Sequence, residues 1–130
     1  MTTSTFSTLN GQQYMNLTTF RKSGEAMITP VWFAQEGDTL YMFTTADAGK
    51  VKRIRNSGRV QVSPSDRAGK PLGSAVDAHA RLLNAAEGAH ADVLLSKKYG
   101  LMKRLIGVVH LLRRSSNVYI AITQAPGAAL

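Results

Sequence analysis

The sequence predicts a mainly-β chain, an antiparallel β-barrel with helices on its outside, and three observations carry that prediction. Short stretches such as Arg59-Val60-Gln61-Val62-Ser63 and Val76 to Leu82 alternate apolar and polar residues with the two-residue period of half-buried strands. Turn-forming clusters separate the stretches at short intervals, as in Arg21-Lys22-Ser23-Gly24 and Glu36-Gly37-Asp38. Helical spacing is confined to Gly49–Ser57 and Ala86–Arg114, so strands outnumber helices and most connections suit antiparallel neighbours. A chain of 130 residues, 44% hydrophobic and 18% charged, fits one domain over 1–130 that buries roughly two-thirds of its unfolded surface.

Each element follows from its residues. Asn16 to Phe20 is the first strand, and Gly24 ends the next turn because glycine can take positive φ. Glu25 to Gln35 is a long second strand, with Met27, Thr29, Val31 and Phe33 on one face. Ala26, Ile28, Pro30, Trp32 and Ala34 take the other, and two apolar faces imply a closed sheet or a partner. Pro30 has no N–H for a ladder, which points to a bulge or an unpaired edge. Thr39 to Thr45 is the third strand, after a hairpin turn. Gly49 to Ser57 is a short helix that turns Val51, Ile54 and the stem of Arg55 inward. Arg59 to Ser63 is the fourth strand, stopped by Pro64, and Ser65 to Gly73 is a loop.

Ser74 to Ala85 is the fifth strand, with Val76, Ala78, Ala80 and Leu82 on one face. Asp77, His79 and Arg81 share the opposite face, where the solvent side of a half-exposed strand is a simpler reading than a proton relay. Ala86 to Arg114 is helical with a break at Tyr99-Gly100, and Leu101, Leu105, Val108, Val109 and Leu112 give its second half a packing stripe. Asn117 to Thr123 is the sixth strand, and residues 1–10 and 124–130 are expected to be flexible tails.

Composition removes several function classes. Cysteine is absent, which excludes disulfides, thiolate metal sites and a cysteine nucleophile. His79, His90 and His110 have no metal-ligand spacing. No Ser/His/Asp arrangement or paired carboxylate recommends a hydrolase. No apolar run approaches the ~20 residues that span a bilayer, and Met1 to Asn10 lacks the layout of a secretory signal, so a cytoplasmic protein is expected. The net charge of +8 calls for an anionic partner, whether nucleic acid, membrane or polyanionic cofactor. Its cations cluster at Lys50–Arg59 and Lys97–Arg114 without a nucleic-acid motif of interleaved aromatics, so nucleic acid is not expected.

The most informative stretch runs from Phe43 to Arg55. A strand ends in Thr44 and Thr45, a short loop follows, and a helix opens with Gly49, Lys50, Lys52 and Arg53. Hydroxyls, a helix N-terminus and closely spaced cations suit a phosphate group. A solvated basic helix is the competing reading for any one of these cations.

The run from Tyr14 through Leu83 resembles the flavin- and deazaflavin-dependent oxidoreductases of the pyridoxamine 5'-phosphate oxidase class, especially the subgroup that uses the deazaflavin coenzyme F-420. The resemblance rests on Phe20-Arg21-Lys22-Ser23-Gly24, on Thr29-Pro30-Val31-Trp32-Phe33, on the hairpin from Glu36 to Tyr41, and above all on Thr44-Thr45 followed by Gly49 to Arg55 and Arg59-Val60. It implies a split β-barrel and a homodimer with the cofactor site near the subunit interface. It also implies coenzyme F-420, with FMN as the alternative, and hydride transfer to an apolar conjugated small molecule.

By the same resemblance Lys50 is the phosphate-binding lysine, with Thr44 and Thr45 beside the phosphate or ribityl chain. Gly49 stands where the flavin branch often has a second phosphate cation, and Lys52 and Arg53 are the candidates to replace it. The backbone of Thr29, Pro30, Val31 and Trp32 lies along the cofactor ring, and Trp32 either lines the acceptor pocket or is a structural plug. No catalytic side chain is expected, since the cofactor carries the chemistry. Vitamin B6 oxidation is disfavoured, because pyridoxamine phosphate oxidases end in a longer substrate-binding extension. An FMN-binding oxidase or electron carrier, and a non-enzymatic split barrel for haem or another ligand, are the alternatives.

Overall fold

A computed structural model describes residues 6, 9, 11–46, 48–100 and 117–124. Its strands are β1 (Tyr14–Phe20), β2 (Ala26–Trp32), β3 (Ala34–Glu36), β4 (Thr39–Thr45), β5 (Arg59–Ser65), β6 (Val76–Leu82) and β7 (Asn117–Gln124). The helices are α1 (Gly49–Asn56) and α2 (Ala85–Tyr99). All seven strands form a single sheet in the order β2-β1-β5-β6-β7-β4-β3, and every neighbouring pair is antiparallel. The terminal strands of that order, β2 and β3, are separated in the chain by Phe33 alone. The sheet therefore has to curl until its two edges approach each other.

The inside of the curl is apolar because the strands place residues two apart on the same face. Met15 with Leu17, Leu40 with Met42, Val60 with Val62, Ala78 with Ala80, and Ile120 with Ile122 are all buried in one cluster. Burying a side chain of the Val, Leu, Ile or Met type contributes about 1.5–3 kcal/mol. Phe6 and Leu9, within the stretch expected to be a tail, are buried in the same cluster, so that expectation is corrected there. Gln124 belongs to β7 rather than to a tail.

Several strand boundaries differ from the sequence reading; β1 begins at Tyr14 instead of Asn16 and β6 ends at Leu82 instead of Ala85. The long second strand is broken at Phe33 into β2 and β3. The strand expected to stop at Pro64 runs through it to Ser65; Pro64 sits opposite Met15, and its carbonyl accepts from Leu72 N–H at 2.8 Å. Proline is tolerated there because it gives up only its own donor. Ser74 and Ala75 precede β6 instead of belonging to it. On β6, Asp77, His79 and Arg81 are exposed, and Asp77 accepts from Gln61 while Arg81 pairs with Glu87. That face is the solvent side of the strand, as expected.

The helices close the structure. In α1 Val51 and Ile54 are buried, whereas Arg55, expected to turn its stem inward, is exposed. Helix α2 starts one residue earlier than expected, at a capping box in which Asn84 accepts from Glu87 N–H at 2.9 Å and the Glu87 carboxylate accepts from Asn84 N–H. It ends at Tyr99, where Gly100 takes a φ of 54°. The stripe from Leu101 to Leu112 lies outside the described residues.

Candidate functional site

A groove opens where the two sheet edges converge. Strand β3 covers β4 only from Thr39 to Tyr41, so the edge of β4 that leads to Thr45 runs on beyond it. Strand β2 is the other edge, and at Pro30 it has no N–H to offer. Pro30 is therefore an edge proline, as its chemistry requires. Tyr14, Pro30, Val31, Trp32, Phe43, Thr44 and Thr45 line this seam, which encloses about 290 Å³. Its walls are aromatic and apolar, and its hydroxyls stand together at the end of β4.

A second concavity of about 390 Å³ lies against α1 and is strongly basic. Phe20, Arg21, Lys22, Gly49, Lys52, Arg53 and Asn56 line it. Arg21 is paired with Glu25 at 3.0 Å, but none of the described ion pairs involves Lys22, Lys50, Lys52 or Arg53. The Arg53 Nε donates to Thr19 Oγ1 at 2.6 Å, tying α1 to β1. Arg59 places its guanidinium 4.4 Å from the Phe20 ring centroid. The first turn of α1 has no acidic residue and its N-cap, Ala48, makes no side-chain capping bond. The positive end of the helix dipole is thus left without a counter-charge in its own first turn. Lys50 is half-buried, and burial first and Arg53 second hold its pKa below the ordinary lysine value.

The seam is clasped from outside by α2. Tyr99 stacks on Trp32 with ring centroids 4.5 Å apart and planes 8° from parallel. The Tyr99 hydroxyl accepts from Phe33 N–H at 2.9 Å, and its own proton has the carbonyls of Gln13 (2.7 Å) and Phe33 (2.8 Å) within reach. It thereby satisfies the backbone where β2 breaks from β3. The adjacent Lys98 donates to Gln12 O at 2.6 Å and lies 3.8 Å from the Phe33 ring centroid.

The residues singled out in the sequence therefore fall into two groups. Pro30, Val31, Trp32, Thr44 and Thr45 meet in the seam, while Gly49, Lys52 and Arg53 meet in the basic pocket. Thr29 alternates toward the barrel side opposite Leu17, and Thr29 and Lys50 line neither concavity. Sequence reasoning did not name as site residues Tyr14 and Phe43 in the seam, Phe20, Arg21, Lys22 and Asn56 in the basic pocket, or Tyr99 behind Trp32. Phe43 directly precedes the paired threonines, a signal that was available; Tyr99 is 66 residues from Phe33 and left no local trace.

A curled antiparallel sheet with an open seam and helices outside defines the split-barrel class. The sequence profile of the pyridoxamine 5'-phosphate oxidase family matches residues 1–117, and the chain belongs to that family. No curated protein matches it by sequence. Among solved structures, an F-420 reductase is 19% identical, with 96% of each chain covered and a TM-score of 0.60. HutZ, the haem storage protein of Vibrio cholerae, is 14% identical over 90% of this chain and 84% of its own, with a TM-score of 0.69. A FAD-binding protein of Mesorhizobium loti is 20% identical over 90% and 82%, with a TM-score of 0.61. At these identities the likeness establishes the fold.

Proposed function

We propose that this chain is a homodimeric, cytoplasmic oxidoreductase that binds coenzyme F-420 and passes a hydride to an apolar, conjugated acceptor. The observation that carries the reading is the aromatic seam ending in the hydroxyls of Thr44 and Thr45, with the basic start of α1, which has no acidic residue in its first turn, a few residues further along the chain. That order of groups fits a flat ring followed by a ribityl phosphate. The net charge of +8 and the full-length likeness to an F-420 reductase favour the more anionic deazaflavin, whose tail adds carboxylates. When bound, the deazaflavin supplies a two-electron hydride donor.

The protein's own work is placement and exclusion of water. Val31 and Trp32 flank Pro30, which has no ladder donor at this edge, Thr44 and Thr45 orient the chain, and Lys50 offsets the phosphate. A donor carbon held about 3–3.5 Å from its acceptor in a dry pocket accounts for most of the task. A seam of about 290 Å³ is at the lower limit of the roughly 300–1,000 Å³ typical of small-molecule sites. A second subunit completes it in this reading.

Calorimetric titration with F-420 and with FMN tests the cofactor, and reduced F-420 deuterated at its donor carbon tests the transfer. Label in the product supports the reading; label in solvent, or turnover on FMN and oxygen alone, defeats it. Lys50→Ala is expected to weaken cofactor binding by about 1–3 kcal/mol, less at high salt. FMN is the second reading, since the phosphate end is common to both ligands and a FAD-binding neighbour has the same fold. A haem reading, raised by the Vibrio cholerae neighbour, has less support because no histidine lines the seam among the described residues.

A further inference from the structure

A third concavity, of about 470 Å³, adjoins the seam and exceeds both the seam and the basic pocket in volume. It lies where the end of α1, the connection from β6 to α2 and the start of β7 converge. Leu82, Leu83, Ala89 and Val118 give it apolar walls. Tyr119 stands on the side of the seam, its ring centroid 6.3 Å from that of Phe43, its neighbour across the ladder of β4 and β7. Gly88 makes room for that ring. A Cβ there would lie 3.1 Å from Tyr119 Cδ2, so a residue that is unfavourable inside a helix lets the tyrosine pack directly on α2.

The polar groups of this cavity stand at two depths. Tyr119 and Asp92 are half-buried, and the Tyr119 hydroxyl donates to Asp92 Oδ1 at 2.7 Å. Burial first and Asp92 second hold this phenol above the ordinary tyrosine pKa of 10.0. It therefore keeps its proton for Asp92, and its oxygen can accept from an incoming donor. Arg55 and Asn84 are exposed, at the open side. Asn84 Oδ1 is taken by Glu87 N–H, which leaves the amide NH2 as a donor. Both carboxylate oxygens of Glu87 are engaged by Arg81, and none of the described ion pairs involves Arg55. The cavity thus has an uncompensated guanidinium at its mouth and an oriented hydrogen-bond acceptor further in.

We infer that this cavity is a second ligand site, one that takes a small carboxylic acid with an apolar body and a hydroxyl group at the far end. The carboxylate meets the Arg55 guanidinium, which can engage two oxygens at once, and the Asn84 amide is a further donor on the open side. The apolar body lies along Leu82, Ala89 and Val118, and the hydroxyl donates to the Tyr119 oxygen. A volume of about 470 Å³ falls within the roughly 300–1,000 Å³ of small-molecule sites, which combine apolar walls with a few convergent polar groups. The site does not depend on which cofactor the seam takes.

The test is isothermal titration of the whole chain with para-hydroxycinnamate and with two probes that each lack one end. Cinnamate has no hydroxyl, and para-cresol has no carboxylate. Wild type is expected to prefer para-hydroxycinnamate about tenfold over para-cresol and about 2–10-fold over cinnamate, as a charge-assisted and a neutral hydrogen bond require. Arg55→Met should erase the first preference and keep the second. Tyr119→Phe should erase the second and keep the first, a crossed pattern that a merely structural role would not produce. Ala89→Phe, which fills the cavity from an exposed position on α2, should abolish binding of all three probes and leave titrations with F-420 and FMN unchanged.

Arg55→Met and Ala89→Phe change exposed residues, so they decide the matter even if Tyr119→Phe fails to fold. No binding of para-hydroxycinnamate by wild type at millimolar concentration, or equal affinities for the three probes, overturns the inference. So does binding that ignores both Arg55→Met and Ala89→Phe, which would place the acid elsewhere on the protein. Loss of F-420 or FMN binding in Ala89→Phe also overturns it, because the cavity would then belong to the cofactor site.

Discussion

At the scale of single residues, Tyr99 and Lys98 do the most for the seam relative to their size. Removing the hydroxyl in Tyr99→Phe keeps the stack on Trp32 but leaves Phe33 N–H without its acceptor. A buried donor left unpaired costs about 1–3 kcal/mol, so a loss of that order is expected in urea unfolding. Burial lowers the Lys98 pKa from 10.5 to about 8. Below pH 8 the group is charged in both the folded and unfolded states and contributes no slope. Between about 8 and 10.5 the unfolded chain keeps a proton that the folded protein has shed, so stability rises with pH. Burial acts the other way on Tyr99 and Tyr119, raising both above the ordinary tyrosine value of 10.0. Above pH 10 the unfolded tyrosines lose protons that the folded ones retain, and stability falls. Urea midpoints should climb from pH 8 toward 10 and then drop, with the climb absent in Lys98→Met. A wild-type midpoint that stays level over pH 7–10 would sink this account of Lys98.

At the scale of elements, the sequence was legible wherever local chemistry decides. Alternation located the strands, helical spacing turned Val51 and Ile54 inward, and Gly100 marked the end of α2. The Asn84 cap was legible in principle, since Asn followed three residues later by Glu is a helix-start pattern. Asn84→Ala should cost about 0.5–2 kcal/mol, measured by chemical unfolding, while the Arg81–Glu87 pair at 2.8 Å stays intact. Leu95 is fully buried on the inner face of α2, and Leu95→Ala should cost about 2–5 kcal/mol. The break at Phe33 was not legible. Its neighbours read as one strand because β propensity continues across it, and the residue that satisfies the backbone at the break comes from α2. Pro64 was misread for the opposite reason, since a local rule about strand ends gave way to pairing with β1.

At the scale of the molecule, the curled sheet followed from the order of elements, but the arrangement of the site did not. Thr45 and Gly49 are neighbours in the chain, which made one continuous site the natural expectation. The helix instead presents Gly49, Lys52 and Arg53 to a pocket shared with the turn after β1, separate from the seam. Such a division depends on where α1 docks, and docking is set by Val51, Ile54 and the Thr19–Arg53 bond together. Strand β2 also leaves Ile28 61% exposed on the face it shares with Pro30, a large apolar residue at a sheet edge. In the proposed dimer that face is covered. Light scattering at micromolar concentration should give the mass of two chains, and Ile28→Lys should lower that mass and weaken cofactor binding together. Dimers that persist in Ile28→Lys with unchanged binding would place the interface elsewhere.

The chain has a single tryptophan, and it stands in the wall of the seam. Every photon of indole emission from this protein therefore originates at one known place. A conjugated ring entering the seam would drain that emission by energy transfer, whereas a colourless anion seated beside Arg53 would leave it unchanged. The molecule is in effect its own optical gauge, able to tell in one unlabelled sample a ligand that carries a conjugated ring from a colourless anion.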